Sequence, residues 1–259
     1  MASQYAEELE FALSISKEMA AVSFDYFQKG VDVVTKDDGS PVTKADKEVE
    51  ALIREALAKH FPHDSILGEE EGVSAGDSAP NGRKWIIDPI DGTYNFARGI
   101  KIWSTLLALE VQSQVVLGVV SAPAMDEHFH AAAGGGAFKN GKRIHVSRND
   151  KIEQSLFNFG GPNRIEAKGL WPNLQEVVRC TERQRGFGDY LGFSLVFEGK
   201  AEAMLEVDVK PWDLAPMKII VEEAGGCFID LSGGSSIYTG SCLVTNGLLM
   251  EEFKRIFIK

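Results

Sequence analysis

Apolar residues recur at helical spacing in the first part of the chain. Leu9, Leu13, Met19 and Phe27 predict an amphipathic helix from Tyr5 to Phe27. A second helix is predicted in "SPVTKADKEVEALIREALAKHF". Thr43 is its candidate N-cap, Asp46 stands three residues on, and Val49, Leu52, Ile53, Ala56 and Leu57 fall on one face. The period then shortens. "KWIID", "STLLALEV" and "QVVLGVVSA" are short apolar runs that predict strands, with a turn at Gln112-Ser113-Gln114 between the last two. "AFKNGKRIHVS" carries Asn140-Gly141, a strong hairpin signal. "SLFNFG" and the run from Ala201 to Glu206 predict further strands, whereas "DYLGFSLVFEG" and "WDLAPMKIIVEEAGG" predict helices. In the last of these, Asp213 is a candidate cap, Pro216 would lie in the first turn, and Gly225 can close the helix. Glu71 to Gly82, "EGVSAGDSAPNG", reads as a polar, mobile loop.

Strands and helices mix without a strict βαβ repeat, which predicts a layered α/β or α+β fold with helices covering sheets. A chain of 259 residues, 44% hydrophobic, can bury a substantial core as one domain or as two closely packed halves. The formal net charge of -11 argues against a nucleic-acid binder, since affinity for a phosphate backbone comes mainly from clustered Lys and Arg. An anionic substrate would need local help, most naturally from a metal ion. Three cysteines, Cys180, Cys227 and Cys242, have no metal-ligand spacing and are expected to be reduced thiols. The N-terminal segment interrupts its apolar pattern with acidic residues, so neither a signal peptide nor a membrane helix is expected, and a cytoplasmic location follows as the default.

Candidate chemistry concentrates in acidic residues at the ends of elements. Asp46 stands at a helix start, Glu69 and Glu70 follow "SILG", Asp88 and Asp91 follow "KWII", and Asp213 stands near another helix start. Hard cations such as Mg²⁺ prefer oxygen ligands, so these carboxylates and a backbone carbonyl could hold two or three ions. In "GRKWIIDPIDGTYNFARG", Pro89 restricts the backbone between the two aspartates and would turn both carboxylates and the Ile90 carbonyl to one side. Gly92-Thr93 would then open a helix whose N–H groups suit a phosphate. Taken singly, an Asp before a helix is a cap and Asp-Gly is a turn; the combination is far more specific.

"GEEEG", "WIIDPIDGTYNF" and "PWDLAPMKIIVEEAGG" resemble, in order and spacing, the inositol monophosphatase family of Mg²⁺-dependent, lithium-sensitive phosphomonoesterases. The likeness runs from "SPVTKAD" to "VTNGLL". It implies an α-β-α-β-α sandwich, of mixed α/β and α+β type, forming a single domain over residues 1–259. The N-terminal half, about 1–148, would carry most metal ligands, and the C-terminal half, about 149–259, would carry the specificity residues and Asp213. The resemblance further implies Mg²⁺ held by Glu69, Asp88, the Ile90 carbonyl, Asp91 and Asp213, with Glu70 behind these ligands. Phosphate contacts fall to Asp91, Gly92 and Thr93. Asp46 and Thr93 resemble the pair that orients the attacking water beside Glu69, and a homodimer is the expected assembly.

"RGFGDYLGFSLVFEGKAEAMLE", "GVVSAPAMDEHFHAA" and "VTNGLL" are similar to the histidinol-phosphatase branch of that family. Asp189, Glu206 and Asp213 would contact the substrate, the first two forming an acidic pocket suited to an ammonium or imidazolium group. Asp189 could instead simply cap the helix beginning "DYLGF". Inositol 1-phosphate, a broader range of sugar or polyol phosphates, and a non-catalytic metal-binding role stay open as alternatives. His128 and His130 read as one strand face rather than as a zinc site, and Gly134 to Gly136 as a bend rather than a phosphate loop.

Overall fold

The computed structural model describes residues 4–35, 41–74 and 82–258. Eight helices are formed among them: α1 (Ala6–Lys29), α2 (Lys44–His60), α3 (Thr93–Ala97), α4 (Pro162–Ala167), α5 (Trp171–Cys180), α6 (Asp189–Phe197), α7 (Pro211–Glu223) and α8 (Met250–Phe257). The first ten strands are β1 (Val33–Thr35), β2 (Pro41–Thr43), β3 (Ser65–Gly68), β4 (Gly72–Val73), β5 (Arg83–Asp91), β6 (Ser104–Val111), β7 (Gln114–Ala122), β8 (Glu127–Ala132), β9 (Gly136–Lys139) and β10 (Lys142–Arg143). The remaining strands are β11 (Leu156–Phe159), β12 (Arg183–Arg185), β13 (Ala203–Val207), β14 (Cys227–Ile229) and β15 (Ser241–Thr245). β1 and β2 form a small ribbon; the others build an eight-stranded sheet, in the order β10-β9-β8-β7-β6-β5-β3-β4, and a five-stranded sheet, β12-β11-β13-β15-β14.

The larger sheet is covered on both faces, which explains the unbroken apolar runs of its central strands. Alternate side chains go to opposite sides: Trp85, Ile87, Leu107 and Leu109 pack with Ile15 and Met19 of α1 and Ile53 and Leu57 of α2. Ile86, Leu106 and Ala108 pack instead with Phe193 and Phe197 of α6 and Ile219 and Ile220 of α7. That second core also takes in Met204 and Val244 of the smaller sheet, so α6 and α7 form a middle layer. The outer face of the smaller sheet is closed by Leu174 and Val177 of α5 and Phe253 and Phe257 of α8. The layering is therefore α-β-α-β-α, as expected.

Local signals were mostly correct. Thr43 caps α2 and forms a capping box with Asp46. Gln112 and Ser113 turn with φ of 50° and 63°, and Asn140 and Gly141 with 47° and 74°, the mirror-image geometry that suits two-residue hairpins. The glycines at 134 to 136 form a bend whose Gly134 and Gly136 N–H groups donate to the Glu223 carboxylate at 2.8 and 2.7 Å. Its donors thus serve the protein's own helix. His128 and His130 lie on β8, where His130 stacks on Phe138. All three cysteines are free.

α7 corrects one expectation. It begins at Pro211 with Lys210 as N-cap, so Asp213 is the third helical residue, and its carboxylate accepts the Lys210 N–H at 2.7 Å. Pro216 consequently lies inside the helix rather than in its first turn. It is tolerated against β7, where Gly118 leaves room: a Cβ there would press on Pro216 Cα at 2.7 Å. Gly225, with φ of 92°, follows the C-cap Ala224 as expected. Residues 75–81 of the polar loop lie outside the described residues, while Gly72 and Val73 of that loop pair with β3. Among the described residues, no helix is long and apolar enough to cross a membrane.

Candidate active site

β5 carries the centre of the site at its C-terminal end. The strand's pairing with β6 shifts between Asp88 and Asp91, and this irregularity bends Pro89-Ile90 out of the ladder. Asp88 accepts the Ile90 N–H at 3.0 Å, and Thr105 Oγ1 donates to the Pro89 carbonyl at 2.9 Å, which fixes the bend from both sides. Asp91 is held by Ser104 Oγ at 3.2 Å and by the N–H of Tyr190 at 2.9 Å. The side chain of Asp189, the first residue of α6, makes no cap bond to that helix, whose start is served by a carboxylate from β5.

Gly92 follows in the left-handed region, with φ of 82°, and opens the single-turn helix α3. Thr93 Oγ1 lies 3.2 Å from Asp46 Oδ1 and 3.0 Å from the Ile90 carbonyl. Asp46 in turn accepts the N–H and the hydroxyl of Thr43 through its other oxygen, at 2.8 and 2.5 Å. A residue that looks in the sequence like an ordinary capping partner is thereby fully buried and joined to the turn after β5.

A cleft of about 220 Å³ is lined by Glu69, Asp88, Ile90, Asp91, Gly92, Thr93, Asp189, Glu206 and Asp213. The sequence-selected residues are thus brought together, with Asp46 directly behind Thr93. Carboxylate oxygens of Asp88, Asp91 and Asp213 all lie within 4.8 Å of one another. Burial, and then the Glu69, Asp91 and Asp213 charges, push the Asp88 carboxyl well above the ordinary range. Burial and the Asp189 and Asp213 charges do the same to Asp91. Asp213 is pushed up to about 6, chiefly by burial, and Asp46 is raised for the same reason.

The far wall is built differently. Asp189 stands at a φ of 54°, unusual for a non-glycine residue, and accepts from Asn95 Nδ2 at 2.9 Å. Burial raises its carboxyl, while Arg164 and Asn95 oppose the rise. Glu206 is pushed up to about 8, again first by burial, and sits against Gly160, where any Cβ would overlap its carboxylate. Arg164 reaches Glu206 Oε2 at 3.4 Å and supplies a cation that sequence reasoning missed. Asn95, Ser104 and Glu50 were also missed. Only Glu50 left a signal, since it lies four residues after Asp46 on the same helix.

Buried like charges this close are costly without a compensating cation. The donors here are all hard oxygens, and the only guanidinium lining the cleft, among the described residues, faces Glu206. This donor set fits a hard divalent cation better than any soft metal.

The comparisons agree with that chemistry. Residues 4–257 match the sequence profile of the inositol monophosphatase family. A histidinol-phosphatase of Mycobacterium tuberculosis is 38% identical over 254 residues, covering 95% of this chain and 96% of its own. A fructose-1,6-bisphosphatase/inositol-1-monophosphatase of Thermotoga maritima is 34% identical over 254 residues, covering 96% and 95% respectively. The crystal structure of the extragenic suppressor protein suhB from Bartonella henselae superimposes with a TM-score of 0.89 at 28% identity, covering 98% of this chain and 99% of that one.

Proposed function

This chain belongs to the inositol monophosphatase family of metal-dependent phosphomonoester hydrolases; from that premise we propose that it hydrolyses L-histidinol phosphate to L-histidinol and phosphate, using Mg²⁺. Glu69, Asp88, Asp91, Asp213 and the Ile90 carbonyl are read as the ligands of two or three ions. Bound there, Mg²⁺ would supply Lewis acidity toward the phosphoryl group and the attacking water. The chain's own groups do the rest. The N–H groups of Gly92 and Thr93 orient the phosphate end at the start of α3, and Asp91 would act on it through the ions it holds. Thr93 Oγ1, whose proton points to Asp46 Oδ1 or the Ile90 carbonyl, is free to accept a hydrogen bond from the incoming water. The buried Asp46 carboxylate, raised above its ordinary range, is the base behind that hydroxyl, and Glu69 lines the same cleft.

The observation that carries the substrate reading is the pair of carboxylates, half-buried Asp189 and buried Glu206, in the same cleft as the phosphate end. Histidinol phosphate presents an ammonium group at neutral pH, and an imidazole that can also become cationic; a cation bound beside Glu206 would draw off the proton that burial favours there, so that both carboxylates become charge-assisted partners. Asp213 would meet the same part of the substrate. One feature favours a second reading. Arg164 partly neutralises Glu206, which would suit the neutral hydroxyls of inositol 1-phosphate or another polyol phosphate. Steady-state assay of both esters, with Mg²⁺ and with excess chelator, separates the readings. Histidinol phosphate should have the higher kcat/KM, and activity should vanish in chelator. Faster turnover of inositol 1-phosphate would promote the second reading, and turnover of neither ester in Mg²⁺ would contradict both. We also read the chain as a single domain that assembles as a homodimer, which sedimentation analysis would test.

A further inference from the structure

We propose that Glu50 is a positioning residue that sets the metal affinity of the site by clamping the segment that carries Glu69. The inference rests on the reading of Glu69 as a metal ligand. Asp46, Glu50 and Arg54 are spaced four residues apart and share one face of α2. The first reaches Thr93, whereas the other two grip the turn between β3 and β4. Glu50 is completely buried. Its Oε2 accepts the N–H of Glu70 at 2.8 Å, and its Oε1 accepts the N–H of Glu71 at 3.1 Å and Arg54 Nε at 2.8 Å. Arg54 continues the grip by donating to the Gly72 carbonyl at 2.5 Å. Glu69 itself donates its N–H to the Ile87 carbonyl at 3.2 Å, one residue before Asp88.

Three consecutive amides, from Glu69 to Glu71, are therefore fixed: the first on the strand that carries Asp88, the next two on one buried carboxylate. That leaves the Glu69 backbone little freedom and aims its side chain into the cleft. Gly68 belongs to the same device, because a Cβ at this position would overlap the Glu50 carboxylate. Only a carboxylate can accept both loop amides and the guanidinium together. Glutamine offers one carbonyl oxygen, and its amide hydrogens would face an N–H they cannot satisfy. Groups that orient metal ligands from behind typically change affinity about 10–100-fold when replaced.

The test measures Mn²⁺ binding to the purified, substrate-free protein by the loss of the free-ion EPR signal, for the parent chain and for Glu69→Gln, Glu50→Gln, Arg54→Met and Leu52→Ala. Leu52 packs against the α1–α2 core and has no polar group to join the clamp's hydrogen bonds, so it controls for general destabilisation. Glu50→Gln should raise the Mn²⁺ Kd about tenfold or more. At saturating Mn²⁺, its kcat and its substrate KM should both return close to the parent values. Arg54→Met should move Kd in the same direction, and it carries the test if Glu50→Gln does not fold. Leu52→Ala should lower Tm without changing Kd. An unchanged Kd in folded Glu50→Gln or Arg54→Met, with a weakened Glu69→Gln, would overturn the clamp alone. An unchanged Kd in Glu69→Gln would overturn the metal role of Glu69 and the clamp with it.

Discussion

Replacing Asp88 by asparagine should stabilise the metal-free protein while destroying its activity. Asp88 is buried, and its neighbours in the carboxylate trio lie within 4.8 Å. Two unit charges at that separation repel by about 3.5 kcal/mol at an effective dielectric constant of about 20. The protein can relieve this by binding a proton, which for a carboxyl of ordinary pKa costs about 5 kcal/mol at about pH 7.5. Either way the metal-free site carries a penalty of a few kcal/mol. Asparagine nearly conserves volume, keeps an acceptor for the Ile90 N–H, and brings an amide that can donate to the remaining carboxylates. In excess EDTA, Asp88→Asn should therefore gain about 1–3 kcal/mol, a rise in Tm of several degrees, measured by calorimetry and urea unfolding. With saturating Mg²⁺ the advantage should disappear, because the parent gains binding energy that the variant has lost. Turnover should fall by about three orders of magnitude. Equal destabilisation with and without Mg²⁺, or near-normal kcat, would refute the reasoning.

Asp189→Ala and Glu206→Ala should each lower kcat/KM for histidinol phosphate about tenfold or more, with a far smaller loss on p-nitrophenyl phosphate; equal losses on both esters would make them architectural. In EDTA the parent should lose thermal stability as pH rises. The folded-state pKa values of Asp213 and Glu206, about 6 and about 8, exceed the ordinary 3.8 and 4.5, so their contribution is greatest at low pH and is lost as pH climbs through the raised values. Mg²⁺ should flatten that slope around Asp213, and a Tm that rises steadily from about pH 5 to 8 in EDTA would contradict the burial argument. Thr93→Val should cut kcat about a hundredfold with little change in Mn²⁺ affinity, as read by EPR; an unaltered kcat would remove Thr93 from the proton path. Li⁺ should inhibit the Mg²⁺-supported reaction in a steady-state titration.

Features coded by neighbours in the chain were legible in advance. The Thr43–Asp46 box, the Asn140-Gly141 turn and the Gly225 helix end depend on a few consecutive residues, and each formed as expected. The layering could be inferred because strands covered on both faces must be apolar throughout. Errors arose where a distant group supplied the bond. The alternative that Asp189 caps α6 is not borne out: Asp189 is the first helical residue, and the carboxylate at that helix start is Asp91, 99 residues earlier than the Tyr190 N–H it accepts. The start of α7 is a local ambiguity instead: an aspartate at the third helical position that accepts the Lys210 N–H looks, in sequence, like an aspartate cap. The carboxylates of the site were found because their spacing in "DPIDGT" is unusual. Arg164 and Asn95 were not, because a lone arginine or asparagine carries no such pattern, and only the packing of α4 and α3 brings them to Glu206 and Asp189.

The most direct test compares L-histidinol phosphate with its deaminated analogue, 3-(imidazol-4-yl)propyl phosphate, on the parent protein in saturating Mg²⁺. The two share the phosphate, the leaving oxygen and the ring, and differ chiefly in the ammonium group that Asp189 and Glu206 are argued to bind. One well-made charge-assisted hydrogen bond is worth about 1.5–3 kcal/mol, so kcat/KM should fall by about 10–100-fold on removing the amine. Equal kcat/KM for the two esters would contradict the claim that these carboxylates read a cationic substrate.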